Sequence, residues 1–96
     1  MSELEINERG VPQYPKGHAG RLLATLAAID LLADATAIRI AEYTGLSKGN
    51  IDTYVKVLNT QFGTSIVKEG SAYKIHEWGS VLQKNGVRKY LIRSDK

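Results

Sequence analysis

The sequence predicts a mostly α-helical domain of the α+β class: three core helices, a small β-hairpin and a C-terminal helical segment. Two observations predict this order. Between residues 18 and 62, apolar side chains recur about every 3.6 residues, the period of a helix, in runs separated by turn-forming residues. After Gly63 the pattern changes to two short β-type runs around a glycine. We expect a chain of 96 residues with this pattern to form one domain.

Before the first helix, residues 1–17 are expected to form a flexible or irregular N-terminal arm. Turn formers at this density do not favour regular structure. The helices and the hairpin then occupy residues 18–76, and residues 77–96 form the C-terminal segment. The turn-forming residues of the arm are Gly10, Pro12, Pro15 and Gly17.

The first helix is predicted over residues 18–33. Its apolar residues Leu22, Leu26, Ile29 and Ala33 follow the helical period. Further leucines and alanines widen the apolar surface beyond one stripe, and a helix that is apolar on several sides is buried on several sides. The sequence therefore predicts a central core helix or one that contributes to a dimer interface.

Two shorter helices follow. Thr36 is a plausible N-cap for a helix over residues 37–44, because its hydroxyl can accept a hydrogen bond from a free backbone N–H group. Gly45 fits the left-handed residue that ends a helix, since it lacks a Cβ atom. Ser47 is a second N-cap candidate, and the third helix is expected to run to about Phe62.

The third helix has two different faces. Its apolar residues share one side, whereas small polar residues and lysines occupy the other. This division predicts that one face packs on the core and the other meets solvent or a partner. The apolar face comprises Ile51, Tyr54, Val55, Leu58 and Phe62.

The hairpin is predicted from residues 65–68 and 72–75, joined by Glu69-Gly70-Ser71. Tyr73 and Ile75 are expected to face inward, and Lys74 outward. In the tail, residues 77–84 are predicted to form a short helix that Asn85-Gly86 ends. Residues 87–93 fit a helix or a strand, with a helix favoured, and serve packing or dimerisation.

The composition limits the possible functions. The chain contains no cysteine, which excludes disulfides, thiolate nucleophiles and cysteine metal sites. His18 and His76 have no metal-ligand partner three or four residues away, so neither a metal nor a cofactor is expected. No phosphate-binding glycine loop or Ser/His/Asp arrangement is present, and the protein is not expected to be an enzyme.

The charge is uneven along the chain. The net charge is +3, yet the first ten residues contain the acidic residues Glu3, Glu5 and Glu8. From Ser47 onward, nine Lys and Arg residues stand against four Asp and Glu residues. A basic C-terminal half suits a polyanionic partner, although a solvated surface with chance asymmetry explains the charge equally well.

Three helices followed by a hairpin resemble the winged helix-turn-helix transcription regulators of bacteria, archaea and phages, in particular the IclR-like and MarR-like groups. The resemblance covers residues 22–75. It rests on the leucine-rich first helix, on I-A-E-Y-T-G-L-S at residues 40–47, on I-D-T-Y-V-K-V-L at residues 51–58, and on G-S-A-Y-K-I at residues 70–75. The resemblance implies that the helix opening at Ser47 is the recognition helix and that residues 69–71 are the tip of the wing.

This resemblance nominates ten residues as contacts to double-stranded DNA. Lysines on the helix suit phosphates, Asn50 and Thr53 suit base edges, and Asp52 suits either a cytosine amino group or a local cap. An exposed face without a partner is the alternative for every one of them. The candidates are Ser47, Lys48, Gly49, Asn50, Asp52, Thr53 and Lys56 on the third helix and Lys68, Ser71 and Lys74 on the hairpin.

The expected function is a sequence-specific DNA-binding regulator, in particular a repressor that occupies an operator with its third helix in the major groove. A homodimer is expected, because a small regulator gains affinity by binding two half-sites. The alternative is a winged-helix module for protein–protein contact, since the third helix contains no arginine. The N-terminus lacks a signal-peptide pattern and no apolar stretch could span a bilayer, so we expect a cytoplasmic, nucleoid-associated protein.

Overall fold

The computed structural model describes residues 5–88, which form a compact α+β fold with helices and two small antiparallel hairpins. This general class is the one that the sequence predicts. No helix in the described part of the chain is long and apolar enough to cross a membrane. The elements in chain order are β1 (Glu5–Ile6), β2 (Pro12–Gln13), α1 (Gly20–Leu31), α2 (Ala37–Thr44), α3 (Lys48–Gln61), β3 (Ser65–Glu69), β4 (Ala72–Glu77) and α4 (Lys84–Arg88).

Helix α1 lies at the centre of the fold. It packs against the other three described helices and against β4. Six consecutive residues, 24–29, are buried, so the helix is covered on several sides, as the wide apolar surface predicts. Leu26 in α1 and Ile40, Ile51 and Leu58 in the two following helices have no exposed surface. Burying a side chain of this size contributes roughly 1.5–3 kcal/mol, and these residues therefore fix how α2 and α3 lie on α1.

The chain from α2 to α3 follows most of the predicted local chemistry. The Thr36 hydroxyl accepts a hydrogen bond of 3.2 Å from the Arg39 N–H group, which confirms the first N-cap. Gly45 has φ of 81° and donates its N–H to the Ala41 carbonyl at 2.8 Å, which confirms the left-handed helix end. Ser47 occupies the N-cap position of α3, but its side chain makes no capping hydrogen bond. The predicted hydroxyl cap at Ser47 is therefore wrong.

Strands β3 and β4 form the predicted hairpin, with Lys68 opposite Tyr73 and Val67 opposite Lys74. Tyr73 is buried, Ile75 is half-buried and Lys74 is exposed, which confirms the predicted inner and outer sides. The hairpin also contacts the segment before α2. Thr36 forms an isolated antiparallel bridge with Ala72, and the Tyr73 N–H donates to the Ala35 carbonyl at 2.9 Å.

The N-terminal arm is more regular than predicted, because β1 and β2 pair in a small antiparallel hairpin. Residues 5–13 show no alternation of apolar and polar residues that would predict strands, and side-chain hydrogen bonds stabilise the hairpin instead. The Asn7 carboxamide oxygen accepts from the N–H groups of Arg9 and Val11, both at 2.9 Å, and closes the turn. Val11 and Tyr14 then bury their side chains in the core. Within the predicted irregular arm, residues 5–6 and 12–13 are therefore paired strands.

The tail also differs from the prediction. Strand β4 extends to Glu77, and the helix begins at Lys84 rather than ending there, so Asn85 and Gly86 lie inside α4. Two ion pairs and one apolar contact explain this placement. Asp30 on α1 pairs with Lys84 at 3.7 Å and with Arg88 at 3.1 Å, and Val87 is buried. Residues 89–93 of the predicted segment lie outside the described residues.

Candidate nucleic-acid interface

The outer face of α3 carries most of the predicted contact residues. These residues are exposed on one side of the helix, while Ile51, Val55 and Leu58 on the other side pack into the core. This arrangement holds the outer side chains on a rigid support, because the buried stripe leaves the helix little freedom to rotate. The predicted contact residues at or on α3, all of them exposed, are Ser47, Lys48, Gly49, Asn50, Asp52, Thr53 and Lys56.

The first turns of α3 present polar groups that the protein does not use itself. Among residues 5–88, the side chains of Lys48, Asn50 and Thr53 have no hydrogen-bond or ion-pair partner. Gly49 is exposed, and a Cβ atom there would have no neighbour closer than the Ser47 hydroxyl at 3.9 Å. An ammonium, an amide and a hydroxyl at the start of one helix can donate to phosphates and to base edges.

Asp52 and Lys56 differ from these residues because they already have partners within the protein. The Lys56 ammonium lies 3.4 Å from one carboxylate oxygen of Asp52. The other oxygen accepts a hydrogen bond of 3.2 Å from the Tyr73 hydroxyl. Asp52 is thus a link between α3 and the β3–β4 hairpin, a role that the sequence analysis did not identify.

The hairpin brings some of its predicted residues towards α3 and separates others. The Lys68 ammonium lies 5.4 Å from the centre of the Tyr73 ring, on the face that meets α3. Lys74 follows Tyr73 directly, and successive residues of a strand point to opposite faces. Lys74 therefore lies on the other face, beside Val67, while Ser71 is exposed in the turn.

Tyr73 is the residue of this region with a clearly altered acidity. Burial raises the pKa of the Tyr73 hydroxyl above its ordinary value of 10.0, and the charge of Asp52 and the hydrogen bond to it act in the same direction. The hydroxyl therefore stays protonated and able to donate throughout the neutral range. The sequence predicts that Tyr73 points inward and that Asp52 is exposed on α3. It does not predict their contact, because the two residues are 21 positions apart and lie on different elements.

A second side chain on α3, Asn59, also connects the helix with the hairpin. Its amide group donates to the Ile66 carbonyl at 3.0 Å, and its oxygen accepts from the Ile66 N–H at 2.9 Å. The Thr64 hydroxyl donates to the same oxygen at 2.8 Å. Asn59 lies too far along α3 to be predicted as a DNA contact, and its partners show that it attaches the hairpin.

The outer face of α3 and the adjoining side of the β3–β4 hairpin form a polar, partly basic surface. No group of three or more His, Asp or Glu residues in the described range could hold a metal ion. Comparison with protein-family models, with curated proteins and with solved structures gave no match. The case for any function therefore rests on the residues of this face and on their placement.

Proposed function

We propose that the protein binds double-stranded DNA with the N-terminal half of α3 in the major groove and regulates transcription, as a repressor that occupies an operator. The observation that carries this proposal is the unpartnered polar set Lys48, Asn50 and Thr53 at the start of a helix that follows a glycine turn. The width of the major groove suits a helix, and these three side-chain types match phosphate and base-edge groups.

The arrangement of the elements supports a winged-helix interpretation of this fold. Helices α1, α2 and α3 precede the β3–β4 hairpin, and the bridge between Thr36 and Ala72 adds a short third segment beside β4. In such an arrangement, the hairpin is the wing and contacts the backbone beside the groove. Lys68 and Ser71 are the hairpin residues best placed for this role, whereas Lys74 lies on the opposite face.

The five residues at the start of the face have separate proposed roles. Lys48 neutralises a phosphate, and the exposed Ser47 hydroxyl donates to one beside the N-terminus of α3, where backbone N–H groups favour an anion. Asn50 and Thr53 contact base edges. Gly49 allows the DNA backbone to approach the helix closely, at a cost of about 1 kcal/mol in helix propensity. We further propose that the protein acts without catalysis at the nucleoid.

A homodimer would place two α3 helices on two half-sites and so raise affinity. Apolar side chains that are exposed outside the α3 face are candidates for the dimer contact, and they include Ile38, which is 52% exposed. Leu31 at the end of α1 is 50% exposed and Val81 is 62% exposed.

The experiment measures binding of the purified full chain to operator-selected and random duplexes by fluorescence anisotropy at two salt concentrations. We expect binding that weakens as salt rises, because each phosphate contact releases a counterion. Lys48→Ala should weaken both duplexes alike and reduce the salt slope by about one unit. Asn50→Ala and Thr53→Ala should instead reduce the preference for the selected duplex, with roughly a tenfold loss for each base contact.

Lys84→Ala is the matched control, because α4 packs on α1 and Asp30 keeps its second partner, Arg88. It removes the same charge and should leave both duplexes bound as in the wild type. Absence of any DNA binding at low salt would contradict the proposal. The second candidate function is a protein–protein interaction module, which is favoured by the 60% exposed carboxylate of Asp52 in the middle of the face. Such a module would bind no DNA even at low salt.

A further inference from the structure

We propose that Tyr73 is a positioning residue: through its hydrogen bond to Asp52, it fixes the tip half of the β3–β4 hairpin at a set distance from the outer face of α3. The role of this contact in recognition rests on the proposed DNA binding, whereas the contact itself belongs to the free protein. Asp52 is then a positioning residue as well, instead of a base contact.

Side-chain hydrogen bonds attach the hairpin to α3 at two separate points. Asn59 holds Ile66, near the start of β3. Asp52 holds Tyr73, close to the tip. The two attachment residues on α3 are seven positions apart, which corresponds to about 10 Å along a helix. Backbone contacts from Ala72 and Tyr73 hold β4 on residues 35–36. The Tyr73–Asp52 hydrogen bond adds the side-chain contact that sets the distance from the tip half of the hairpin to α3.

The carboxylate of Asp52 has both oxygens engaged, which argues against a role in reading bases. One oxygen accepts from the Tyr73 hydroxyl and the other pairs with Lys56. Tyr73 is suited to this task because it is 4% exposed, so packing holds its ring, and with it the hydroxyl donor, in place. The pair Asp52–Lys56 is by contrast exposed, and the Lys56 ammonium can exchange Asp52 for a phosphate at little cost.

The same contact brings together a lysine from each of the two predicted DNA-contact surfaces. Lys56 comes from α3 and Lys68 from β3, and each lies beside one member of the Tyr73–Asp52 pair. If the pair sets the distance between helix and hairpin, then the contribution of Lys68 to DNA affinity depends on the Tyr73 hydroxyl. The contribution of Lys48 does not, because its position depends on α3 alone and not on the hairpin.

The first test uses the free protein and needs no DNA. Amide hydrogen exchange is measured by NMR for residues 68–73 in the wild type, Tyr73→Phe, Asp52→Ala and Asp52→Asn. Tyr73→Phe keeps the ring and removes the donor, and Asp52→Asn keeps an oxygen acceptor without the charge. We expect exchange at the tip to accelerate several-fold in Tyr73→Phe and Asp52→Ala, and Asp52→Asn to resemble the wild type. Unchanged exchange in Tyr73→Phe would overturn the inference, whether or not the protein binds DNA.

The second test is a double-mutant cycle on DNA affinity. Lys68→Ala should cost roughly threefold to tenfold in the wild type and much less in Tyr73→Phe, because the two effects are coupled. Lys48→Ala should cost the same in both backgrounds, which distinguishes a displaced hairpin from a general loss of folded protein. Equal costs of Lys68→Ala in both backgrounds would overturn the inference. If the wild type does not bind DNA, the proposed function is contradicted. The hydrogen-exchange experiment would still test whether the Tyr73–Asp52 contact fixes the hairpin.

Discussion

The two hairpins of the molecule are attached to the helices by different means. The β3–β4 hairpin has strands of five and six residues, so its own backbone ladder holds it together, and Asn59 and Asp52 attach it to α3. The β1–β2 hairpin has strands of two residues and depends on side chains. Asn7 donates to the Tyr43 carbonyl at 3.0 Å. These attachments lie at different helices, one at α3 and one at the end of α2.

The difference shows how a very short hairpin can be fixed in place. Helix carbonyls in the last turn lack intrahelical partners, and the N-terminal hairpin supplies donors for them. The Gln13 amide donates to the Thr44 carbonyl at 2.9 Å, and its side chain lies against Gly45. Any side chain at Gly45 would both overlap Gln13 and require the left-handed conformation, so the hairpin and the turn constrain each other.

The largest expected effect comes from removing the amide that attaches the longer hairpin. Asn59→Ala leaves the N–H and carbonyl of the buried Ile66 without their side-chain partner, and we expect a loss of about 2–3 kcal/mol in the free energy of unfolding. Gln13→Ala, its counterpart in the N-terminal hairpin, should cost about 1 kcal/mol, because the Gln13 amide donates only to carbonyls, those of Val11 and Thr44, and its loss leaves no N–H group without a partner. Urea denaturation measures both. A larger loss for Gln13→Ala would reverse the comparison.

A second substitution tests how tightly the N-terminal hairpin packs on α1. A Cβ atom at Gly20 would lie 2.5 Å from the Tyr14 ring, which is too close for both to keep their places. Gly20→Ala should therefore destabilise the protein by about 1–3 kcal/mol, despite the better helix propensity of alanine.

Gly86→Ala is the control for this effect, since a Cβ atom there meets nothing within 4 Å. It should stabilise α4 by up to about 1 kcal/mol. Thermal unfolding, monitored by circular dichroism, measures whether each substitution raises or lowers the stability. A neutral or stabilising Gly20→Ala would indicate that Tyr14 moves freely and that the N-terminal hairpin is loosely held.

The smallest expected effect is a pH dependence confined to the longer hairpin. The pKa of Tyr73 is raised above 10.0 in the folded protein. Above that pH the unfolded chain loses this proton first, so the contribution of Tyr73 to stability is complete below pH 10 and declines as the pH rises further. The stability difference between the wild type and Tyr73→Phe should therefore be unchanged up to about pH 9 and shrink as the pH rises above about 10. A difference that stays constant would show that the Tyr73 environment does not favour the protonated hydroxyl. The amides that attach the N-terminal hairpin do not titrate.

Much of the helical framework could be predicted because it depends on nearby residues. Thr36 caps α2 and Gly45 ends it through contacts within four positions, and the buried stripe of α3 follows a simple period. Ser47 shows the limit of this reasoning: its backbone is extended as a cap requires, but the sequence does not determine where its hydroxyl points.

The attachments of both hairpins could not be predicted, since each depends on residues far apart in the chain. Asn7 meets the carbonyl of a residue 36 positions away, and Tyr73 meets Asp52 across 21 positions. Periodicity assigns Asp52 to an exposed face, which is correct, yet it gives no register between α3 and β4. For that reason the sequence suggested a base contact or a local cap for Asp52 and did not predict its hydrogen bond to Tyr73.

The contact between Asn7 and Tyr43 has a consequence for the order of events during synthesis. Residues 5–14 leave the ribosome before α2 exists, yet the carbonyls that they bind lie at residues 43 and 44. Closing a loop of this length costs entropy that local helix contacts do not, so it follows the formation of α1 and α2. We therefore expect the β1–β2 hairpin to dock after the helices that it contacts have formed, and the turn at Gly45 to be completed when Gln13 reaches it.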